Sequence, residues 1–162
     1  MNNQPVNTRN EALEFARRTR RNLEFIEKAK ETGEHVHVVT QLTISLLGLV
    51  VFPKERLLLD QAKAKTLAAM RAEKWPDWKI SLDAEPKHPT KTLHDILWHV
   101  RNAVAHGRLT FTSDSEYLHE VAIVVEDNMP KVPEPYWRAE IDGENLRRFC
   151  LRFIEFIDDA VG

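Results

Sequence analysis

The segment Val36–Phe52 constrains this chain more than any other stretch. Wound as a helix it is apolar nearly all the way round, and a helix without a polar face has to be enclosed by other elements. It does not read as a membrane span. Thr40, Gln41, Thr43 and Ser45 interrupt it, and its longest run without a polar residue, Leu46–Phe52, includes Gly48, whereas a span needs ~20 apolar residues. A central helix from about His35 to Phe52 therefore implies a surrounding bundle. The 162 residues are enough for one domain, 1–162, with a real core.

The flanking sequence supplies that enclosure. A first helix is signalled by a capping box, Thr8 with Glu11, followed by Ala12, Phe15, Ala16, Thr19, Leu23 and Ile26 at helical spacing, and it ends at Gly33. Pro53 closes the central helix and opens a third, expected to run to about Lys74. The stretch from Trp75 to Pro89 holds Pro76, Pro86 and Pro89 and reads as an ordered loop, with Trp75 and Trp78 covering the core rather than stacking on bases. A fourth helix starts at Thr90 or Thr92, where Asp95 completes a second capping box, and ends at His106 with Gly107 in the C′ position. After it the period changes. Arg108–Ser113 and Trp137–Ile141 alternate, and Tyr117–Asp127 is apolar and β-branched, which predicts a three-stranded meander. From Asp142-Gly143 onward, Leu146, Phe149, Cys150, Phe153, Ile154, Ile157 and Val161 form the clearest amphipathic pattern in the chain. The expected fold class is mainly α: a helical bundle with a small antiparallel β meander before the C-terminal helix.

Several function classes are excluded at this level. One cysteine, Cys150, forms neither an internal disulfide nor a thiolate zinc site. The pair His35 and His37 lacks a third ligand, and His99 and His106 lie about 10.5 Å apart along a helix, too far to share an ion. No phosphate-binding glycine loop, GxSxG or CxxC motif is present. No metal and no cofactor are expected. The polar N-terminus has no apolar signal-peptide region, so a soluble cytoplasmic protein is expected, without membrane contact. The net charge of −2 argues against bulk coating of nucleic acid, but it is uneven: residues 1–108 hold 18 Lys and Arg against 13 Asp and Glu, a net of +5. The cluster Arg17, Arg18, Arg20 and Arg21 reads either as a track for a nucleic-acid backbone or as a solvated helix face.

The fourth helix holds the chemistry. On a helical wheel Leu93, Ile96, Leu97, Val100 and Val104 cluster as a core face, while Asp95, Asn102, His106 and His99 fall between about 180° and 240° on the opposite side. Trp98 and Ala105 lie beside them, and Arg101 flanks them with a side chain long enough to reach round. An imidazole, amide and indole face with small alanines differs from the Lys and Glu of a merely solvated one. It looks prepared for a partner or a reaction.

The run Arg101-Asn102-Ala103-Val104-Ala105-His106 resembles the R-x4–6-H signature of the HEPN superfamily, in its common form with a polar residue after the arginine. The apolar turn before it and the helix end at Gly107 fit that context; the meander is an addition to the minimal bundle. The resemblance implies a bundle that dimerises through the motif helices, so that the Arg and His of both protomers line one cleft. Many members are metal-independent endoribonucleases that act as toxins or in defence, which makes RNA and a cognate antitoxin the expected partners.

Elementary chemistry supports that expectation. RNA brings its own nucleophile, the 2′-OH, so an enzyme needs only a proton carrier and a cation for the phosphoryl oxygens. Histidine titrates in the right range, and the macrodipole at a helix C-terminus favours the imidazolium, which suits His106 to the acid role. Arg101 presents a permanently charged fork that matches phosphate, and Asn102, one turn before His106, can orient the imidazole or bond the phosphate. Catalytic candidates are thus Arg101, Asn102 and His106; candidate RNA contacts are Arg17, Arg18, Arg20, Arg21 and Arg108; the candidate dimer contacts are Trp98 and Ala105. Two rivals remain. One is a non-catalytic module that binds RNA or a nucleotide, and the other is a structural dimer or antitoxin-like partner whose polar motif only buttresses an interface.

Overall fold

The computed structural model describes residues 8–51, 56–84, 89–129 and 131–161, and in them helices α1 to α6 pack with one four-stranded antiparallel sheet. The Thr8 side chain and the Pro53 boundary, both singled out above, lie outside the described residues. Helix α1 (Thr8–Glu31) lays Ala12, Ala16, Thr19 and Leu23 against α2 (Val38–Val51) and α6 (Gly143–Val161). Helix α2 is central, with Leu42, Leu46 and Leu49 fully buried, and it touches α1, α5 and α6. Its enclosure is incomplete. It begins at Val38 rather than His35, and Ile44 remains 57% exposed. Helix α6 buries Leu146, Phe149, Cys150, Phe153, Ile154 and Ile157 on the stripe its spacing predicts, and Trp75 and Trp78 meet Phe149 edge-on to close that side of the core.

The expected third helix is two helices, α3 (Arg56–Ala64) and α4 (Leu67–Ala72). Thr66 makes the break. It takes an extended conformation, its hydroxyl accepts from the Ala69 N–H at 3.1 Å, and its backbone pairs with Thr92 in an isolated bridge. A threonine that can cap competes with helix continuation, and here the cap wins. The bridge also ties the start of α5 (Leu93–Ala105) to α4 through Leu67 N–H to the Lys91 carbonyl (3.0 Å) and Leu93 N–H to the Lys65 carbonyl (2.8 Å).

The meander gains a strand. The sheet order is β1-β4-β3-β2, where β2 is Leu109–Phe111, β3 is Ala122–Asp127, β4 is Trp137–Asp142, and β1 (Lys79–Asp83) comes from the stretch read above as loop. The alternation of Ile80 and Leu82 is genuine but short, half-exposed and broken by a bulge, as suits an edge strand. The expected strand from Tyr117 starts late, because Leu118–Glu120 turns as a single 3₁₀ turn before Ala122. That turn is held against the start of α6. A Cβ placed on Gly143 would lie 2.5 Å from the Leu118 carbonyl oxygen, so only glycine fits where β4 becomes α6.

Candidate functional site at the C-terminal turn of α5

Helix α5 starts with the expected capping box. The Thr92 hydroxyl accepts from the Asp95 N–H at 3.3 Å, and the Asp95 carboxylate accepts from the Thr92 N–H at 2.9 Å. Burial raises the Asp95 carboxyl, but these bonds and that from the Lys91 N–H outweigh it and hold the group below its ordinary value. Asp95 is thus a cap.

The buried arc of α5 is rotated from the one read on the wheel. It consists of Leu93, Ile96, His99, Val100 and Ala103, whereas Leu97 and Val104 are only half-buried. The reason is the sheet. Helix α5 packs on α2 and α3 along one side and on β3 along another, so the side taken above as open to a partner is partly occupied by the chain's own strand. His99, placed on that outward face by the wheel, is fully buried and stacks on Trp137 with ring centroids 4.6 Å apart and planes 5° from parallel.

Beneath the motif lies a carboxylate that sequence reasoning did not single out. Asp127, 1% exposed at the end of β3, receives three contacts on one oxygen, Oδ2: His99 Nδ1 at 3.0 Å, Asn102 Nδ2 at 3.2 Å and the Tyr136 hydroxyl at 2.6 Å. Burial pushes its carboxyl up, the three hydrogen bonds push it down further, and the net result is a group held below the ordinary aspartate value. With Asp127 ionised all three contacts are donations, so His99 carries its proton on Nδ1. The signal for this residue was in the strand period. Ile123, Val125 and Asp127 share one face by alternation, and that face is buried.

Two of the motif residues lie at the surface instead. Arg101 and His106 are exposed, and neither side chain makes a hydrogen bond or ion pair to another group among the described residues. Arg101 borders a groove of about 140 Å³ whose apolar wall includes Leu49, Leu58, Leu97 and Trp98, with His94 beside it. His106 is the C-cap. Its N–H bonds the Asn102 carbonyl at 3.2 Å, and Gly107, at φ +66°, reverses the chain. Gly107 N–H to the Val104 carbonyl (3.0 Å) and Arg108 N–H to the Ala103 carbonyl (2.8 Å) complete a Schellman closure. Asn102 thus faces Asp127 with its amide group, and it meets His106 only through the backbone.

The remaining candidates divide. Trp98 is half-buried and edge-on to His99, while Ala105 is exposed on the same side as Arg101. Arg108 is half-buried and its guanidinium donates to the Asn128 carbonyl at 3.3 Å. Of the α1 cluster, Arg17 pairs with Asp158 at 3.0 Å and Arg20 with Glu155 at 3.7 Å, both joining α1 to α6, while Arg18 pairs with Glu14 on its own helix and Arg21 is exposed. None of the four shares a hydrogen bond or ion pair with Arg101 or His106 among the described residues. Burial pushes the Cys150 thiol up to about 12, so it is no nucleophile at neutral pH. No group of three or more His, Cys, Asp or Glu able to hold a metal ion occurs among the described residues, and none of their helices is long and apolar enough to cross a membrane. A wider cleft, about 640 Å³, opens between the end of α1 and residues 116–119, and none of the motif residues lines it.

No curated protein and no solved structure matches this sequence. The model of one protein family, HEPN pEK499 p136, does match, and it covers residues 1–162. With the Arg101–His106 motif closing α5 and the family model spanning every residue, the chain belongs to the HEPN pEK499 p136 family.

Proposed function

We propose that this HEPN-family chain is a metal-independent endoribonuclease that acts as a toxin or defence protein, with Arg101 and His106 as its catalytic pair. One observation carries the reading. Asp95, His99 and Asn102 on α5 are each engaged within the protein, while Arg101 and His106 stand exposed and unpaired among the described residues. A permanent cation and an imidazole five residues apart at the end of one helix suit a phosphodiester.

In the reaction the RNA 2′-oxygen forms a bond to the adjacent phosphorus while the bond from phosphorus to the 5′-oxygen breaks. The 2′-OH proton passes to a base, and the departing 5′-oxygen takes a proton from an imidazolium. Arg101 neutralises charge that develops on the non-bridging oxygens. One chain supplies one His106. A second copy related by a two-fold axis supplies the other, and we place Trp98 and Ala105 at that contact, where small Ala105 permits close approach. RNA and the second copy are the partners this reading requires, and a cognate antitoxin is the partner that would restrain a toxin.

Incubation of the pure protein with a defined RNA tests it. Cleavage persists in EDTA, leaves a 2′,3′-cyclic phosphate and a 5′-OH, and fails where a single 2′-deoxynucleotide replaces the cut position. A requirement for Mg²⁺, or cutting at the deoxy position, overturns the 2′-OH mechanism. RNA binding without cleavage moves the protein to the binding-module reading.

A further inference from the structure

Ala103 is the last buried residue of α5, Val104 is half-buried, and Ala105, His106 and Gly107 beyond them are all exposed. Helix ends of this kind fray unless something holds them. Here two side-chain bonds do so from either side of His106. Asn102 donates to the Asp127 carboxylate at 3.2 Å, and Arg108 donates to the Asn128 carbonyl at 3.3 Å, so both bonds end on consecutive residues at the end of β3. The Asp127 oxygen is itself fixed by His99 at 3.0 Å and Tyr136 at 2.6 Å. Asn102 lies next to Arg101 in the chain, and its carbonyl accepts from the His106 N–H, so one residue connects the buried carboxylate to both motif positions.

We propose that Asp127 is a positioning residue for the Arg101 and His106 pair, acting through Asn102. The role rests on the ribonuclease reading. A buried carboxylate with three donors is a costly way to stabilise a fold, since apolar groups of the same shape do as well or better. What it provides is direction. A single oxygen held by His99 and Tyr136 leaves Asn102 one favourable orientation, and a turn that rotated to move Arg101 or His106 would break that bond. Misplacing a catalytic group by about 1 Å costs up to about 10²-fold in rate. Three donors converging on one acceptor keep the turn within that tolerance.

The test is steady-state cleavage of a short reporter RNA by the full chain, scored per native molecule from near-UV circular dichroism. Asn102→Ala and Asp127→Ala are expected to lower kcat by at least about 10-fold with little change in KM, because the turn is displaced while RNA contacts elsewhere remain. Asp127→Asn keeps an acceptor oxygen at the same place and is expected to recover part of the loss. The double variant Asn102→Ala with Asp127→Asn should be no slower than Asn102→Ala alone, since both act on one link. If Asp127→Ala fails to fold, Asp127→Asn and Tyr136→Phe carry the comparison. An unchanged kcat in Asn102→Ala and Asp127→Asn overturns the role and leaves the ribonuclease standing. Fully additive losses overturn the route through Asn102. A wild-type protein that cuts no RNA overturns the ribonuclease and this role with it, and the two failures are thus distinct.

Discussion

The Arg108 N–H closes on the Ala103 carbonyl at 2.8 Å, and the turn it closes is the one that carries His106. That closure depends on Gly107, whose φ of +66° lies in the left-handed region. A side chain there costs about 1–2 kcal/mol. Gly107→Ala is therefore expected to lower the stability measured by urea unfolding by about that amount. It should also reduce cleavage beyond what the unfolded fraction explains. Unaltered unfolding would mean that the turn accommodates a Cβ, and the closure would then have no part in presenting His106.

Asp127 gives a pH prediction with a definite sign. Its carboxyl is held below the ordinary value, so it contributes stability that is fully present above ~3.9 and is lost as the pH falls through its lower folded value. Asp95 and Asp142 behave alike and titrate in wild type and variant equally. The difference between the two proteins isolates Asp127. Unfolding free energy should fall more steeply in wild type than in Asp127→Asn as the pH drops from about 4 to about 2. Parallel curves would show that the three donors do not stabilise the ionised form.

Core and motif separate on stability. Phe153 is 1% exposed within α6 and stacks near Phe149 and Phe156, so Phe153→Ala should cost ~3–5 kcal/mol. Arg101→Ala and His106→Ala remove exposed side chains with no protein partner among the described residues, and each should stay within ~0.5 kcal/mol of wild type. A thermal scan in which His106→Ala is as damaging as Phe153→Ala would make the histidine a structural residue.

How much of this was legible follows from which forces decide each element. The stripe from Leu146 to Ile157 faces one continuous core, so its period alone located α6 and the buried Phe153. Helix α5 is packed on two sides, and a wheel cannot weigh a helical neighbour against a strand that enters from far along the chain. His99 was consequently assigned to the wrong face, although the Arg101 and His106 positions at the helix end were readable from Gly107 and the motif spacing. Asp127 was readable in principle from its parity with Ile123 and Val125, but a carboxylate on a core face is informative only once its donors are known, and two of the three, His99 and Asn102, lie more than twenty residues earlier. Strand β1 was missed because edge strands have half-exposed faces and this one sits among prolines. The split at Thr66 combines a local cap with a tertiary bridge to Thr92, and no local pattern announces the bridge.

Assembly is tested at Ala105, exposed on the same side of α5 as Arg101. A dimer packed through Trp98 and Ala105 brings the two helices close at the axis, and Ala105→Glu then places like charges against each other. Light scattering should report a dimer for wild type and a monomer for the variant, with cleavage falling in step. An unchanged dimer would remove this helix from the interface, and the composite site built from two His106 residues would go with it.

The rates assign the roles. General acid–base catalysis by a positioned side chain contributes ~10²–10⁴-fold, so His106→Ala should slow cleavage by that factor in kcat. Arg101 acts on developing charge, and losing it should cost on the order of 10²–10³-fold, again in kcat because the interaction strengthens toward the transition state. Replacing Arg101 with lysine keeps the charge but not the planar fork, and it should restore only part of the rate. The α1 arginines differ: Arg17 and Arg20 are bound to Asp158 and Glu155, so alanine there should loosen the α1–α6 contact and weaken RNA affinity at low salt while leaving kcat in place. In cells the same hierarchy should appear as growth arrest by wild type that His106→Ala abolishes. Cleavage that survives His106→Ala would place the reaction at another site or in a contaminating nuclease, and the Arg101 and His106 pair would then be a binding surface for RNA.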